Sequence, residues 1–375
     1  MKILVNCSNL KTAGGLAVAL NFIKWVSKNS NEEYLFIAPD TKDYRAIQRS
    51  TNVELIFLND FWTSSIVGRF ILDEVGFLFL RFITRSDIIF TMGNFAVRSF
   101  KPQALLYMWP YPNYPEFTEI WSRMDRRTRL KQKLRLIEFR RKLSRAAVVF
   151  PQTSTSEKRL KKIYASIVKS TRVIPMGVST ISNSINLEKS WHERGEIKLI
   201  CLTRYYSHKN IEILIELGEI IVDRGLKIYI DITVDANQNS GSLLLDNLIN
   251  NSRAKNVVRL IGNVAIEEVI NLYEQYDGMI LPTLLESYSA TYADCLAYGM
   301  PLLTSDLDFA HDACGESAHF FDPFSAHSIL DTILFAMESP GEITRKVELG
   351  RLKSSKSPKW SEIGKRYENE LLKLL

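Results

Sequence analysis

Four side chains carry the chemistry that can be read first: Arg204 and Lys209, five positions apart, and Glu286 and Asp294, eight positions apart. Arg204 stands just past an apolar run in "LICLTRYYSHKNIEILIELGEII", and Lys209 stands where an amphipathic pattern begins. Two cations at the carboxyl end of a strand, beside a helix N-terminus, suit a diphosphate. Such a group gains bidentate guanidinium contacts, a point charge and the helix dipole. Taken alone, the two residues also fit a pair of solvated surface charges.

The acidic pair lies in "DGMILPTLLESYSATYADCLAYGMPLLTSD", where an apolar strand pattern, Met279 to Leu281, runs through Pro282 into a turn. If Ser287 to Ser289 begin a helix that reaches Tyr298, Glu286 sits in the turn before it. Asp294 then lies about two turns in, roughly 12 Å further along the axis. That is close to the span from a sugar ring across a pyrophosphate to a ribose. Carboxylates at the two ends could accept hydroxyl hydrogen bonds while the backbone N–H groups of Ser287, Tyr288 and Ser289 face the phosphates. The plainer alternative makes Glu286 a helix cap and Asp294 a solvated residue, and leaves the apolar approach "GMILPTLL" unexplained.

These residues need elements to hold them. In the first half, β-rich runs (Ile3 to Asn6, Tyr34 to Ala38, Val53 to Phe57, Ile88 to Thr91, Ala104 to Met108, Ala147 to Pro151, Arg172 to Pro175) alternate with helical patterns such as Leu16 to Val26 and Glu157 to Ala165. The second half repeats the alternation, with strand patterns at Lys198 to Leu202, Lys227 to Thr233, Val257 to Ile261, Gly278 to Leu281, Pro301 to Thr304 and His319 to Phe321. Alternation of this kind predicts α/β architecture: two doubly wound, Rossmann-like domains, each a parallel sheet with helices on its faces, with a ligand cleft between them. The polar stretch near 178–195 is the natural linker. The expected domains are residues 1–180 and 195–356, with a terminal helix at about 357–375 returning to the first.

Composition sets the class. A chain of 375 residues with 46% hydrophobic and 24% charged residues reads as an ordinary folded protein of two domains. Its four cysteines form no CxxC pair, which points to buried thiols in a reducing, cytoplasmic compartment and away from a zinc or disulfide framework. "MKILVNCSNL" has no secretory apolar region, and the most apolar segment, 64–83, is interrupted by Arg69, Asp73 and Glu74, so it reads as a buried or membrane-grazing helix.

Charge is uneven. Residues 1–190 hold 30 Lys+Arg against 15 Asp+Glu, and residues 191–375 hold 18 against 27, within a net charge of +6. The segment 121–145 alone carries 11 Lys+Arg against Asp125 and Glu138. Leu130, Leu134 and Ile137 fall at helical spacing there, so one stripe is expected to pack while the rest stays cationic. A solvated face, a membrane-surface helix drawn to anionic lipid, and nucleic-acid binding are the three readings. The aromatic segment 61–83 and the "MWPYPNYP" loop favour the membrane, at the inner face of the cytoplasmic membrane, with no nucleic acid.

In its motifs, the second half resembles the nucleotide-binding domain of retaining glycosyltransferases of the GT-B fold, in the large GT4 family (glycosyl transferases group 1). "LTRYYSHKNIEILIEL" is similar to that family's phosphate-binding segment. "PTLLESYSATYADCLAYGMPLLTSD" is similar to its E-x7-E stretch, "HDACGESAHFFDP" to the loop that follows, and "VIPMGV" to the segment leading out of the N-terminal domain. The resemblance implies that Arg204 and Lys209 bind a donor diphosphate, Glu286 a sugar hydroxyl and Asp294 the ribose, with Glu286, Arg204 and Lys209 nearest the chemistry. It also implies that Gly14 and Gly15, in "NLKTAGGLAVAL", let backbone approach the donor phosphate and acceptor.

The implied activity is metal-independent transfer, with retention, from a nucleoside diphosphate sugar to a glycan or lipid-linked acceptor in bacterial cell-surface polysaccharide biosynthesis. No cofactor is implied. Two departures stand out: the second carboxylate is Asp294 where the pattern has Glu, and all five His lie beyond residue 190, so the first half offers no imidazole. In its place "ALLYMWPYPNYPE" offers Trp109, Tyr111, Asn113 and Glu116 on the acceptor side. "DLD" at 306–308 is set aside as a metal motif. A chain that kept the fold as a binding scaffold, and a nucleotide-sugar epimerase, are the alternatives.

Overall fold

In the computed structural model, residues 1–48, 50–177, 191, 195–265 and 268–375 are described. Apart from Trp191 and Gly195, the expected linker lies outside them. The chain forms two compact units: Met1–Pro115, Arg126–Ser179 and Pro358–Leu375 in the first, Glu116–Asp125 and Thr180–Ser357 in the second.

The first unit is built on β1 (Lys2–Asn6), β2 (Glu33–Pro39), β3 (Val53–Leu58), β4 (Ile88–Thr91), β5 (Gln103–Tyr107) and β6 (Val148–Pro151). All its neighbouring strands pair in parallel, in the order β3-β2-β1-β4-β5-β6. The runs "KILVN", "IIFT" and "VVFP" are almost wholly buried, because helices cover both faces of such a sheet and polar alternation has no solvent side to serve. The seventh expected strand, Arg172 to Pro175, does not form. Val149 N–H donates to Ser170 and Arg172 N–H to Val149, but only a single bridge between Val149 and Thr171 results. Ile174 N–H still donates to the Pro151 carbonyl at 3.0 Å, but Pro151 has no N–H to return to Arg172, so the ladder stops.

The terminal helix Trp360–Leu372 belongs to this unit's core. Tyr367 is fully buried, with its ring 5.6 Å from Phe22, 5.4 Å from Phe90 and 5.8 Å from Phe150. A Cβ at Gly364 would meet the Trp25 ring at 2.2 Å, so the glycine sets how closely the helix can approach. The Tyr34 hydroxyl donates to Glu368 at 3.0 Å and fixes the register.

The basic segment forms the helix Arg126–Leu143, but its expected packing stripe does not pack. Leu130, Leu134 and Ile137 are 60%, 57% and 66% exposed. What is buried lies at the other end: Phe139, Lys142 and Leu143. Helical spacing tells which side chains share a face, and the face that reaches the body of the unit is another one, carrying Arg135 over the Trp109 ring, Phe139 and Lys142.

The second unit is built on β7 (Ile197–Cys201), β8 (Ile228–Ile232), β9 (Val258–Leu260), β10 (Gly278–Leu281), β11 (Leu302–Ser305) and β12 (His319–Phe321). Its strands pair in parallel in the order β12-β11-β10-β7-β8-β9, which repeats the first unit's winding. Trp191 is buried in it and donates from its indole N–H to the Asp277 carbonyl at 3.1 Å. A Cβ at Gly278 would strike that indole at 2.7 Å. All four cysteines are free and buried, Cys7 in the first unit and Cys201, Cys295 and Cys314 in the second.

Tyr367→Ala should remove about 3 to 5 kcal/mol from the first unit, the usual cost of deleting a large buried aromatic. Chemical denaturation followed by a probe confined to that unit measures it, with the second unit's transition unchanged.

Candidate functional site

In an open parallel sheet the strand order reverses at one point, and loops leaving the two strands there diverge to opposite faces, opening a crevice at their carboxyl ends. In the second unit that point lies between β7 and β10. Arg204 and Lys209 leave the first of these strands and Glu286 leaves the second, so residues 77 apart in sequence meet there: the Lys209 ammonium pairs with the Glu286 carboxylate.

Backbone bonds impose the meeting. The Leu284 N–H donates to the His208 carbonyl at 2.7 Å, and the Thr283 hydroxyl donates to the same oxygen at 3.3 Å. His208 and Lys209 end a single turn of 3-10 helix, Ser207–Lys209. Asn210 follows in the left-handed region with φ of 56°, a conformation asparagine tolerates better than most residues. Its fully buried side chain donates to the Pro323 carbonyl at 2.7 Å and accepts from Arg123. One asparagine thus ties the loop after β7 to the loop after β12 and to the segment Glu116–Asp125. Arg123 also lies 3.8 Å from Glu212, and Phe117 packs 6.4 Å from Phe324.

The Lys209 and Glu286 side chains are only 19% and 13% exposed, whereas Arg204 is exposed and has no ion-pair partner among the described residues. The Arg204 loop is held from behind: Thr203 N–H donates to the Thr233 hydroxyl at 2.9 Å, and Tyr205 exchanges two bonds with the Gln238 amide at 3.1 and 2.9 Å. Burial, with the Lys209 charge adding to it, pushes the His208 imidazole well below its ordinary pKa, so the ring is neutral at pH 7.

The helix expected from Ser287 to Ser289 onward spans Ala290–Tyr298, with Ser289 in extended conformation at its N-cap. Glu286 therefore lies in the turn before it, committed to Lys209 and not to capping. Ser287 and Ser289 are buried in that turn. Burial, with Asp294 adding to it, raises the half-buried Tyr288 phenol to about 12. Gly299 closes the helix at φ of 73°, where the left-handed region favours glycine.

Asp294 stands in the helix's second turn. Crowding by protein atoms pushes its carboxyl up to about 6, although the side chain is exposed and contact with water limits the displacement. The arrangement offers two cations, one of them already balanced by an acid, and a second acid along a helix whose first N–H groups lack intrahelical acceptors. That set suits a polyanion carrying hydroxyl groups.

The first unit's expected residues fall into two groups. Gly14 and Gly15 lie inside the first turn of the helix Ala13–Asn29 and not in a free loop. Gly14 is exposed with open space where a Cβ would stand, and Gly15 is backed by Leu10 at 2.9 Å. Trp109 and Tyr111 are nearly buried, and Trp109 packs on Phe95, Phe139 and the Arg135 guanidinium, the last at 4.7 Å. Asn113 is fully buried with its amide engaged on both sides, accepting from Tyr107 at 2.9 Å and donating to Ser156 at 3.0 Å. Glu116 opens the segment that belongs to the second unit. His208, Asn210 and Arg123 escaped the sequence reading. Asn directly after "SHK" is the one signal that could have flagged a left-handed turn.

Among the described residues no group of three or more His, Cys, Asp or Glu side chains is arranged to hold a metal ion. Asp306, from the "DLD" stretch, pairs with His311 at 2.5 Å.

Asp294 gives a signed pH prediction. A carboxyl whose folded pKa is raised from 3.8 to about 6 contributes stability below the unfolded value and loses it as pH rises through about 6. Asp294→Asn mimics the protonated form. It should melt higher than the native chain at pH 7.5, and the difference should vanish near pH 4.

Residues 184–351 match the family described as glycosyl transferases group 1. A curated relative, the GtfA subunit of a UDP-N-acetylglucosamine–peptide N-acetylglucosaminyltransferase from Streptococcus agalactiae, is 27% identical over 161 residues, covering 43% of this chain and 29% of that protein. Sucrose-phosphate synthase from Thermosynechococcus elongatus superposes with a TM-score of 0.74 at 15% identity, covering 100% of this chain and 99% of that one. HepE from Anabaena, solved with UDP and glucose, gives 0.69 at 13% identity with both chains covered in full. A glycosyltransferase from Rickettsia africae gives 0.70 at 14%, covering 100% and 98%. The architecture is the GT-B fold.

Proposed function

From a chain whose residues 184–351 belong to the glycosyl transferases group 1, we propose a glycosyltransferase that moves a sugar from a nucleoside diphosphate sugar to a glycan or lipid-linked acceptor, with retention and without a divalent metal. The observation that supports this most is the pairing of Lys209 with Glu286 at the β7/β10 reversal point of the second unit, with Arg204 on the adjoining loop.

The reaction breaks the bond from the anomeric carbon to the β-phosphate oxygen and forms one to the acceptor hydroxyl oxygen. The bonding electron pair goes to the departing nucleoside diphosphate, and its freed phosphate oxygen takes the proton that the acceptor hydroxyl gives up. In this reading Arg204 and Lys209 receive the negative charge developing on that diphosphate, with the N-terminus of the Ala290–Tyr298 helix aimed at the same group, a preorganised electrostatic role. Glu286 accepts a hydroxyl of the donor sugar and Asp294 the ribose hydroxyls, directly or through water. Before donor arrives, Lys209 and Glu286 neutralise each other, so neither charge sits unpaired in a recess. Donor binding exchanges that bond for phosphate on one side and sugar on the other.

In this reading the first helical turn at Gly14 and Gly15 lets backbone approach the donor phosphate and acceptor closely. The buried settings of Trp109, Tyr111 and Asn113 support a framing role for that loop. In this account the chain works in cell-surface polysaccharide synthesis and meets its acceptor at an anionic membrane through the basic stretch 121–145. HepE, solved with UDP and glucose, supports the donor class.

Thermal stabilisation by a panel of nucleoside diphosphates and nucleotide sugars, without metal, tests the reading. One base should raise the melting temperature. The shift should vanish in Arg204→Ala and, in Glu286→Ala, weaken for the sugar nucleotide only. No shift with any member of the panel would contradict it and favour a binding scaffold that kept the fold.

A further inference from the structure

The segment between β3 and β4 is unusual in what it shows to solvent. Helix Ile66–Ile71 runs through a single π turn, Leu72–Gly76, into helix Phe77–Thr84. Its buried side carries Leu72 and Phe77 together with both of its acids, Asp73 and Glu74. Its open side carries Val67, Phe70, Val75, Phe79, Phe82 and Ile83, from 53% to 79% exposed, at helical spacing and with no carboxylate among them. This is the reverse of a helix folded for water.

The acids explain how the polarity is turned round. Lys142 of the helix Arg126–Leu143, itself buried, pairs with Asp73 at 2.6 Å. Arg141 and Arg145 pair with Glu74 at 2.9 and 2.8 Å. Burying charges is costly unless they are paired, so these contacts fix the apolar segment against the basic helix and keep its negative charge inward. Arg141 and Lys142 of the basic helix, and Arg145 just past its end, are engaged in this way. Lys131, Lys133 and Arg140 remain exposed beside its own uncovered Leu130, Leu134 and Ile137. No described helix is long and apolar enough to cross a membrane. Phenylalanines facing outward next to exposed lysines and arginines have the chemistry of a surface that lies in the interface of an anionic bilayer.

We propose that the 66–83 face inserts into the headgroup region of an anionic membrane, with the helix Arg126–Leu143 as its cationic flank and the Asp73/Glu74 ion pairs as the clamp that presents it. The proposal rests on the membrane part of the function given above and relocates it: the apolar helix, and not the basic one, makes the insertion. Charge complementarity commits the occupant to anionic lipid: the outward 66–83 face holds no acid, and the flanking helix sets Lys131, Lys133 and Arg140 against a single half-exposed acid, Glu138, which Lys142 balances.

The test is co-sedimentation of the full chain with vesicles of phosphatidylcholine alone and with roughly one-third phosphatidylglycerol. The native chain should bind the anionic vesicles and retain part of that binding at high salt, which screens charge but not insertion. Phe70→Ser/Phe79→Ser/Phe82→Ser should weaken binding at least about ten-fold, with an unchanged melting temperature. Lys131→Glu/Lys133→Glu/Arg140→Glu should remove the preference for anionic lipid.

Failure of the native chain to bind anionic vesicles would overturn the proposal. So would full binding by the triple Phe variant, which would make the contact purely electrostatic. A native dimer that the same variant dissociates, without vesicle binding, would assign the face to a second copy of the chain. The nucleotide shift of the second unit is read separately, so loss of lipid binding and loss of donor binding are distinguishable.

Discussion

The structure depends most on one stitch: the backbone bond from Leu284 to the His208 carbonyl, which closes the reversal point of the second sheet and sets Lys209 against Glu286. A parallel sheet wound both ways leaves a crevice at that point whatever its sequence. Without the stitch the crevice would have walls but no fixed chemistry. With it, two residues 77 positions apart are held at contact, and the buried Asn210 extends the brace to Pro323 and Arg123. Arg204 lies on the loop that also carries Lys209, and Asp294 lies in the second turn of the helix that follows Glu286.

The first unit solves a different problem with the same winding. Its sheet is completed by the last helix of the chain, seated through Tyr367 and admitted by Gly364. Elsewhere it spends ion pairs on an element that ordinary folding would bury. Asp73 and Glu74, which in the sequence only interrupt an apolar run, are the groups that hold that run against the rest of the unit.

Much of this was legible in the sequence. Alternating strand and helix patterns predicted all twelve strands that form the two sheets, because burial on both faces leaves continuous apolar runs that stand out from their polar surroundings. The turn position of Glu286 and the start of the helix after Ser289 followed from Pro282 and the serines. What spacing could not tell was coverage. Leu130, Leu134 and Ile137 share a helical face, but whether anything lies against it is decided by distant residues. Asn113 shows the converse: polar groups in an aromatic loop look like a site, yet a buried amide with both ends satisfied is structural. Arg172 to Pro175 has strand-like composition, but sits at a sheet edge where a proline ends the pairing. The partnership of Arg123 with Asn210 had no local signal, since nothing near either residue announces the other.

The central claim is that Lys209 and Glu286 are held together so that a donor can separate them. Calorimetric titration of nucleoside diphosphate into the native chain, Lys209→Met, Glu286→Gln and the double variant tests it most directly. If the claim is right, Glu286→Gln binds the bare diphosphate as tightly as the native chain or more tightly, because Lys209 is released to the phosphate. Lys209→Met loses binding, and the double variant behaves like Lys209→Met. If all four bind diphosphate equally while the two single variants lose stability, the pair is a structural brace and the donor site lies elsewhere.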